Sequence, residues 1–315
     1  MPDQKHIVIL GSAYPLRGGG LSTFNERLAR EFIQQGHRVT IYTFSLQYPS
    51  FLFPGKTQYS TEAAPADLDI KVKLNSINPL SWLSVGRELS KLKPDILIVR
   101  YWLPFLGPSL GTVCRQVRKN RYTKLICIAD NVIPHEKRPG DRAFTKFFLG
   151  SVHAFVTMSD QVKKDLESFN TGKPYVLTDH PLYDNFGDPV SKQEARKHLG
   201  LNEKDRLILF FGFIRQYKGL DILLESMADE GMRKAGIKLL VAGEFYQDKK
   251  IYLDQIDKWG ISGNVILHSD FIADQEVKYY CCAADFIIQP YRHATQSGVT
   301  PLAYHFEIPM VVTNV

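Results

Sequence analysis

Short apolar runs recur along the 315-residue chain, separated by polar stretches with helical periodicity. In the first half the runs are His6–Leu10, Arg38–Thr43, Ile70–Leu74, Asp95–Arg100, Lys124–Ala129, Ala154–Ser159 and Pro174–Thr178. Most are continuously apolar rather than alternating, which predicts parallel strands covered on both faces. Between them, "LSTFNERLAREFIQQG" and "LGPSLGTVCRQVRKN" carry apolar residues at helical spacing. The first closes at Gly36, a natural helix terminator. The polar stretch Asp179–Lys192, "DHPLYDNFGDPVSK", breaks the rhythm and reads as a linker. The rhythm then restarts, with strands predicted at Leu207–Gly212, Ile237–Gly243, Val265–Asp270, Phe286–Gln289 and Met310–Thr313. Two βα-alternating halves predict two Rossmann-like, doubly wound parallel-sheet domains, 1–184 and 185–315. Ligands in such folds sit outside the carboxyl ends of the strands, so a cleft between two facing domains is the default site. The chain stops at "PMVVTNV", directly after a strand, and the second half is the shorter. Both features suggest an incomplete second domain, with native sequence continuing beyond Val315.

Composition narrows the class. Hydrophobic residues make up 44% and charged residues 23%, an ordinary globular balance. The net charge of +6 suits an anionic partner, whether a phosphorylated small molecule, a nucleic acid or a membrane surface, and is too small to choose among them. The basic residues are dispersed, so no nucleic-acid partner is expected. Cys114, Cys127, Cys281 and Cys282 form no C-x-x-C pair and fit no zinc spacing, which points to free thiols in a reducing compartment. The N-terminus has no signal-peptide apolar region, and no apolar stretch approaches the roughly 20 residues of a membrane span. A cytoplasmic protein is expected, with peripheral contact at the inner membrane left open. "YPSFLFPGKTQY" and "NPLSWLSVGRELSKLK" suit an acceptor- or membrane-facing surface, or equally buried packing.

Candidate chemistry clusters where strands hand over to helices. In "RLILFFGFIRQYKGLDILLESM", Arg206–Met227, a strand ends at Gly212 and the next six residues include Arg215 and Lys218. A helix is predicted to start near Leu220. A helix N-terminus, a planar guanidinium and a mobile ammonium together suit a diphosphate; a solubilising surface loop is the plainer alternative. The first strand runs into "GSAYPLRGGGLSTF", where Gly18, Gly19 and Gly20 would let a backbone approach a ligand closely. The spacing is neither G-x-G-x-x-G nor a Walker A loop, so no nicotinamide cofactor or nucleotide hydrolysis is indicated. "ADNVIPHEKRPGD" sets Asp130, Asn131, His135 and Glu136 beyond a strand end, where polar residues read as substrate contacts. "QPYRHATQSGVT" offers a second candidate anion site where Ser297 and Gly298 open a helix, or an ordinary serine cap.

Taken in order, "FFGFIRQYKGLDILLESM", "KLLVAGEF", "CCAADFIIQPY" and "EIPMVVTNV" resemble the blocks of the family 4 (group 1) glycosyltransferases of GT-B fold. "GSAYPLRGGG" and "GHRVTIYT" resemble that family's N-terminal signature. The resemblance implies a metal-independent, retaining transfer of a sugar from a nucleotide-sugar donor, UDP- or GDP-linked, on the second domain. The acceptor, on the first domain, would be a saccharide or lipid-linked intermediate of bacterial surface polysaccharide synthesis. No cofactor is implied. Arg215 and Lys218 match the diphosphate-binding pair. Gly18–Gly20, Gly212, Glu244, Thr295, Gln296, Ser297, Gly298 and Val299 match donor contacts. Asp130 falls near the family's usual N-terminal-domain histidine, and His135 is displaced from it; either is a candidate to face the donor sugar. The family's E-x7-E glutamates are replaced by Thr295 and Ala303. That departure and the early stop keep a non-catalytic assembly subunit in play, beside a nucleotide-sugar epimerase. "DLD" at Asp67–Asp69, the form of a metal-dependent transferase motif, reads better as turn-forming aspartates.

Overall fold

A computed structural model describes residues 3–53, 55–134, 138–294 and 297–315, which fall into two compact units, Met1–His180 and Pro181–Val315. In the first unit, strands β1 (His6–Leu10), β2 (Arg38–Leu46), β3 (Ile70–Asn75), β4 (Ile96–Tyr101), β5 (Lys124–Ala129), β6 (Ala154–Thr157) and β7 (Tyr175–Leu177) form one parallel sheet. Its order is β3-β2-β1-β4-β5-β6-β7. Helices α1 (Gly20–Gln34), α2 (Pro79–Leu92), α3 (Gly107–Arg118), α4 (Asp141–Leu149) and α5 (Asp160–Glu167) supply the crossovers. The unbroken apolar runs have a direct cause. On β1, Val8 and Leu10 pack with Val85, Leu89, Leu110 and Val113 of α2 and α3. Ile7 and Ile9, on the opposite face, pack with Phe24 and Ala29 of α1.

Local chemistry ends these elements where it should. Asn78 accepts from the Leu80 N–H (3.0 Å) to cap α2, with Pro79 as its first residue. Ser159, assigned to strand by the pattern, instead caps α5 by accepting from Val162 (3.2 Å), so β6 stops at Thr157. Around the carboxyl end of α4, Arg115 donates to Phe147 O (2.7 Å), Arg118 to Gly150 O (3.0 Å), and Lys173 to Leu149 O and Val152 O (both 2.6 Å). Three cations thus meet carbonyls that the helix leaves over. β2 runs on to Leu46 because β3 continues beside it, with two register shifts, to pair Leu46 with Asn75.

In the second unit, β8 (Arg206–Phe211), β9 (Ile237–Ala242), β10 (Val265–His268), β11 (Phe286–Gln289) and β12 (Met310–Val312) form a parallel sheet in the order β10-β9-β8-β11-β12. Helices α6 (Lys192–His198), α7 (Leu220–Met227), α8 (Glu230–Lys234), α9 (Lys249–Lys258), α10 (Val277–Ala283) and α11 (Val299–His305) accompany it. Leu207 and Leu209 face Ala195, Cys281 and Ala303; Ile208 and Phe210 face Leu223 and Ile256. Both sheets reverse winding direction beside their first strand, at β1/β4 and at β8/β11. Connecting loops diverge there and open a crevice at the carboxyl ends of the strands.

All four cysteines are buried free thiols. Among the described residues no helix is long and apolar enough to cross a membrane. The two aromatic-basic stretches divide between the alternatives. Phe51 and Leu80 are 80% and 75% exposed, whereas Trp82 packs on the core and donates to Asn75 O (2.7 Å).

Arg196 ties α6 to the rest of the second unit. Buried at 3% exposure, it donates to Ala283 O (2.9 Å), to Glu203 O (2.5 Å) and to Asp285 (3.1 Å). Arg196→Ala would strand two carbonyls and remove a partner of Asp285. A loss of about 3–5 kcal/mol is expected in urea unfolding. A loss below 1 kcal/mol would show that the tie is dispensable.

Candidate active site

The richest cluster lies at the winding reversal of the second unit. Gly212 (φ +94) leaves β8 with its N–H on Ala242 O (2.9 Å), and Gly243 (φ +144) leaves β9 with its N–H on His268 O (2.9 Å). A side chain on Gly243 would overlap the Gly212 carbonyl, so the two strand ends touch only because residue 243 is glycine. The chain then passes Phe213 and Ile214, whose N–H bonds Glu244 O (2.9 Å), to Arg215 and a single 3-10 turn, Gln216–Lys218. Gly219 (φ +69) starts α7 against the end of β11, where any side chain would overlap Pro290 O.

Lys218 turns back over this junction. Its Nζ lies 3.1 Å from where a Cβ on Gly212 would stand, and 5.9 Å from the Tyr291 ring centroid. Lys218 as a whole is half-buried, with protein packed around its ammonium. Burial first, and the nearby Arg215 charge second, bring its pKa down from 10.5 to about 8. Among the described residues neither Arg215 nor Lys218 forms an ion pair. The Arg215 guanidinium instead lies 5.0 Å from the Tyr246 ring centroid; Tyr246 stacks on Phe213 (4.4 Å), which stacks in turn with Phe271 (6.4 Å). Tyr291 is buried, its phenol pushed up to about 12 by burial, with its hydroxyl 3.2 Å from Ser297 Oγ. Ser297 Oγ accepts from the Val299 N–H (3.2 Å), and Val299 Cγ2 comes within 3.8 Å of the same Gly212 position.

Gly212, Lys218, Ser297 and Val299 therefore converge, with Arg215 close by. Gly298 is exposed beside Tyr183, and Glu244 is buried with its carbonyl anchoring the Arg215 loop. Thr295 and Gln296 lie outside the described residues. Ala303, where the second family glutamate would stand, is fully buried in the core. Two cations with no ion-pair partner among the described residues could hold an anion with two or more charged oxygens.

In the first unit, Gly19 adopts φ +124 ahead of α1, and its N–H bonds Thr23 Oγ1 (3.1 Å); Gly18 and Gly20 flank it. Asp130 is 6% exposed at the end of β5, and both its oxygens accept from Arg100 of β4, one of them from Nη2 at 2.5 Å. The Arg100 guanidinium also stacks on Phe24 (3.7 Å). A carboxylate held in this way anchors one strand end to another. Arg100 Nη1, Asn25 Oδ1 and Asn131 Oδ1 are buried without a hydrogen-bond partner among the described residues. His135 and Glu136 lie outside them. Asp67 pairs with Arg30 (2.6 Å) and Asp69 accepts from Thr40 (2.9 Å). No group of three or more metal-type ligands occurs among the described residues.

Tyr291, Tyr246 and the Asp221–Arg292 pair (2.7 and 2.5 Å) were not singled out from sequence. Tyr291 had a usable signal, since it directly follows the strand end "IIQP".

Residues 18–177 match Glycosyltransferase Family 4, and residues 205–315 match Glycosyl transferases group 1. A D-inositol 3-phosphate glycosyltransferase of Segniliparus rotundus is 32% identical over 117 residues, 36% of this chain and 26% of that protein. The protein of the same description from Thermobifida fusca is 23% identical over 296 residues, 86% of this chain and 67% of that one. The structure of Anabaena Alr3699/HepE in complex with UDP and glucose superposes with a TM-score of 0.70, covering 99% of this chain and 81% of that one at 13% identity. That likeness shows the GT-B fold, built of two parallel-sheet domains.

Removing one member of a buried, bidentate pair leaves an unpaired charge. Asp130→Ala is expected to destabilise by about 3–5 kcal/mol, with Arg100→Met/Asp130→Leu recovering much of it. Urea melts check this; an unchanged melt for Asp130→Ala would mean that the pair is open in solution.

Proposed function

The chain belongs to glycosyltransferase family 4, and we propose that it transfers a glycosyl group, with retention, from a nucleoside diphosphate sugar to a hydroxyl of a saccharide or lipid-linked acceptor. The observation that carries this is Lys218, whose ammonium is packed in protein and which, with Arg215, has no acid partner among the described residues. In the reaction the bond from C1 of the sugar to the diphosphate oxygen breaks. Its electron pair stays on the diphosphate, and the acceptor oxygen bonds C1 as its proton leaves. Negative charge grows on the departing group. Arg215 would take two oxygens with its planar fork, and Lys218 a third as a point charge. Because both stand in place before the reaction, they would stabilise the transition state more than the bound donor. The Phe213–Tyr246 stack offers a flat aromatic face beside them for a nucleobase. The phosphate contacts at Ser297, Gly298 and Val299, and the approach of Gly18–Gly20, are part of the same reading. So is a role for Asp130 or His135 toward the sugar.

Lys218→Met keeps most of the length and loses the charge. Nucleoside diphosphate release from a panel of UDP- and GDP-sugars should fall by roughly 10²–10³. Arg215→Lys should also be impaired with little change in melting temperature, whereas Lys218→Met, which removes a charge that burial disfavours, should melt no lower than wild type. The titration adds a sign. With a free-enzyme pKa of about 8, kcat/KM should be level below that pH and decline above it, as the ammonium is lost. The decline should be missing in Lys218→Met. Normal kcat/KM in both variants would sink the assignment.

The reading has protein cations, rather than a divalent ion, meet the diphosphate charge. Turnover is expected to persist in EDTA; abolition reversed by magnesium or manganese would overturn that part.

A further inference from the structure

Glycine gives a loop close approach but no stiffness, because it has more backbone freedom to lose than any other residue. Gly18, Gly19 and Gly20 follow one another, so what holds them must come from outside the triplet. On the far side, the Gly19 N–H is bound by Thr23 of α1. On the near side, the Tyr14 N–H donates to the Glu26 side chain (3.0 Å), and Asn25 Nδ2 donates to Ser12 O (2.9 Å). Residues 15–17 lie between these holds, and their backbone bonds to a segment from much later in the chain. The Arg17 N–H donates to Gln58 O (2.9 Å), the Ser60 N–H donates to Pro15 O (2.8 Å), and Leu16 and Tyr59 form an antiparallel bridge.

Gln58–Ser60 takes its own position from the end of β2. Gln58 Oε1 accepts from the Gln47 N–H (3.2 Å) and the Tyr48 N–H (3.0 Å), and its Nε2 donates to Tyr48 O (2.7 Å). The Tyr59 hydroxyl donates to Ser45 O (2.7 Å). Gln47 also accepts from Ser12, just after β1. The approach to the glycines is thus tied twice to one turn, at Ser12 through Gln47 and at Arg17 through Gln58. Backbone bonds set the segment against residues 15–17, and two side chains set it on β2. Gln58 is half-buried and Tyr59 is 38% exposed, so neither is there to fill the core. The competing hold is Leu16, whose side chain is buried in the core of the first unit.

We propose that Gln58 and Tyr59 are positioning residues for Gly18–Gly20: the segment Gln58–Ser60 splints the glycine loop to the end of β2 and fixes the place from which it meets the donor. The inference rests on the reading of that loop as donor-facing, and its test separates the two.

The full chain is compared as wild type, Gln58→Met and Tyr59→Phe, each checked for folding by thermal melting. Gln58→Met keeps the length of the side chain and loses its three bonds; Tyr59→Phe loses only the hydroxyl. Amide hydrogen exchange without ligand, read by mass spectrometry on peptides covering residues 13–20, reports the splint itself. Exchange there should quicken by about tenfold or more in Gln58→Met and by less in Tyr59→Phe, with the peptides of β8 and α7 unchanged. Turnover is read with the panel of UDP- and GDP-sugars. In Gln58→Met kcat should fall between about tenfold and a hundredfold, as for a displaced positioning group. UDP and GDP affinity should change little, because the cations assigned to the diphosphate are on the second unit. Unchanged exchange would show that Leu16 holds the loop without the splint, and overturns the proposal. Quickened exchange with an unchanged kcat overturns it as well, since the segment would then serve stability alone. If Gln58→Met does not fold, Tyr59→Phe carries both readouts. Absence of turnover in the wild type with every donor would count against the transferase reading; the ligand-free exchange would still decide the splint.

Discussion

A lysine ammonium taken out of water loses hydration, and proteins ordinarily return that free energy with a carboxylate. At the end of β8 no carboxylate among the described residues does so. Protein packs around the Lys218 ammonium, and its pKa is drawn down to about 8. Such a state persists only because the surrounding backbone is over-determined. The Gly212–Gly243 contact, the Gly219–Pro290 contact and the bonds of Arg292 leave the turn little room to relax. The missing compensation is what an anionic ligand would provide on binding.

The fold accounts for where this tension sits. Reversal of winding beside β8 sends the loops after β8 and β11 apart, so each can carry ligand-facing groups without burying backbone polar atoms. The cations come from the first loop, and Tyr291, Ser297 and Arg292 from the second. Neither loop makes the site by itself. The contacts that join them, glycine against carbonyl and guanidinium against carboxylate, are specific to the close approach of these two strand ends.

Much of this was legible in the sequence, for physical reasons. A strand covered on both faces has nowhere to put a polar side chain, so the apolar runs marked the strands to within a few residues. Arg215 and Lys218 stood out because fixed charge directly after a buried strand needs an explanation. What the sequence hid is pairing at a distance. Arg292 meets Asp221 from 71 positions away, and Asp130 meets Arg100 from 30. Both depend on which strands become neighbours, and local periodicity carries no such information. Asp130 read as a substrate contact because polar residues at strand ends so often are; local sequence does not carry its pairing with Arg100 on the adjacent strand. Ser159 was taken for strand because a cap and a strand end look alike until the following N–H is seen to turn toward the hydroxyl.

The two units put opposite electrostatics on one architecture. At the winding reversal of the first, Arg100 and Asp130 neutralise each other in the core, with Phe24 against the guanidinium. Asn25 Oδ1 and Asn131 Oδ1 nearby are neutral atoms without a hydrogen-bond partner among the described residues. At the reversal of the second, Asp221 and Arg292 pair with each other beside the turn that carries Lys218, while Arg215 and Lys218 have no ion-pair partner among the described residues. A net charge of +6 spread over the chain would not make that distinction; it follows from which charges are paired. In a nucleotide-sugar transferase the division has a chemical logic. The leaving diphosphate is the only group that gains a full negative charge, so uncompensated cations belong where the diphosphate sits, and a neutral polar surface suits the hydroxyl-bearing partner.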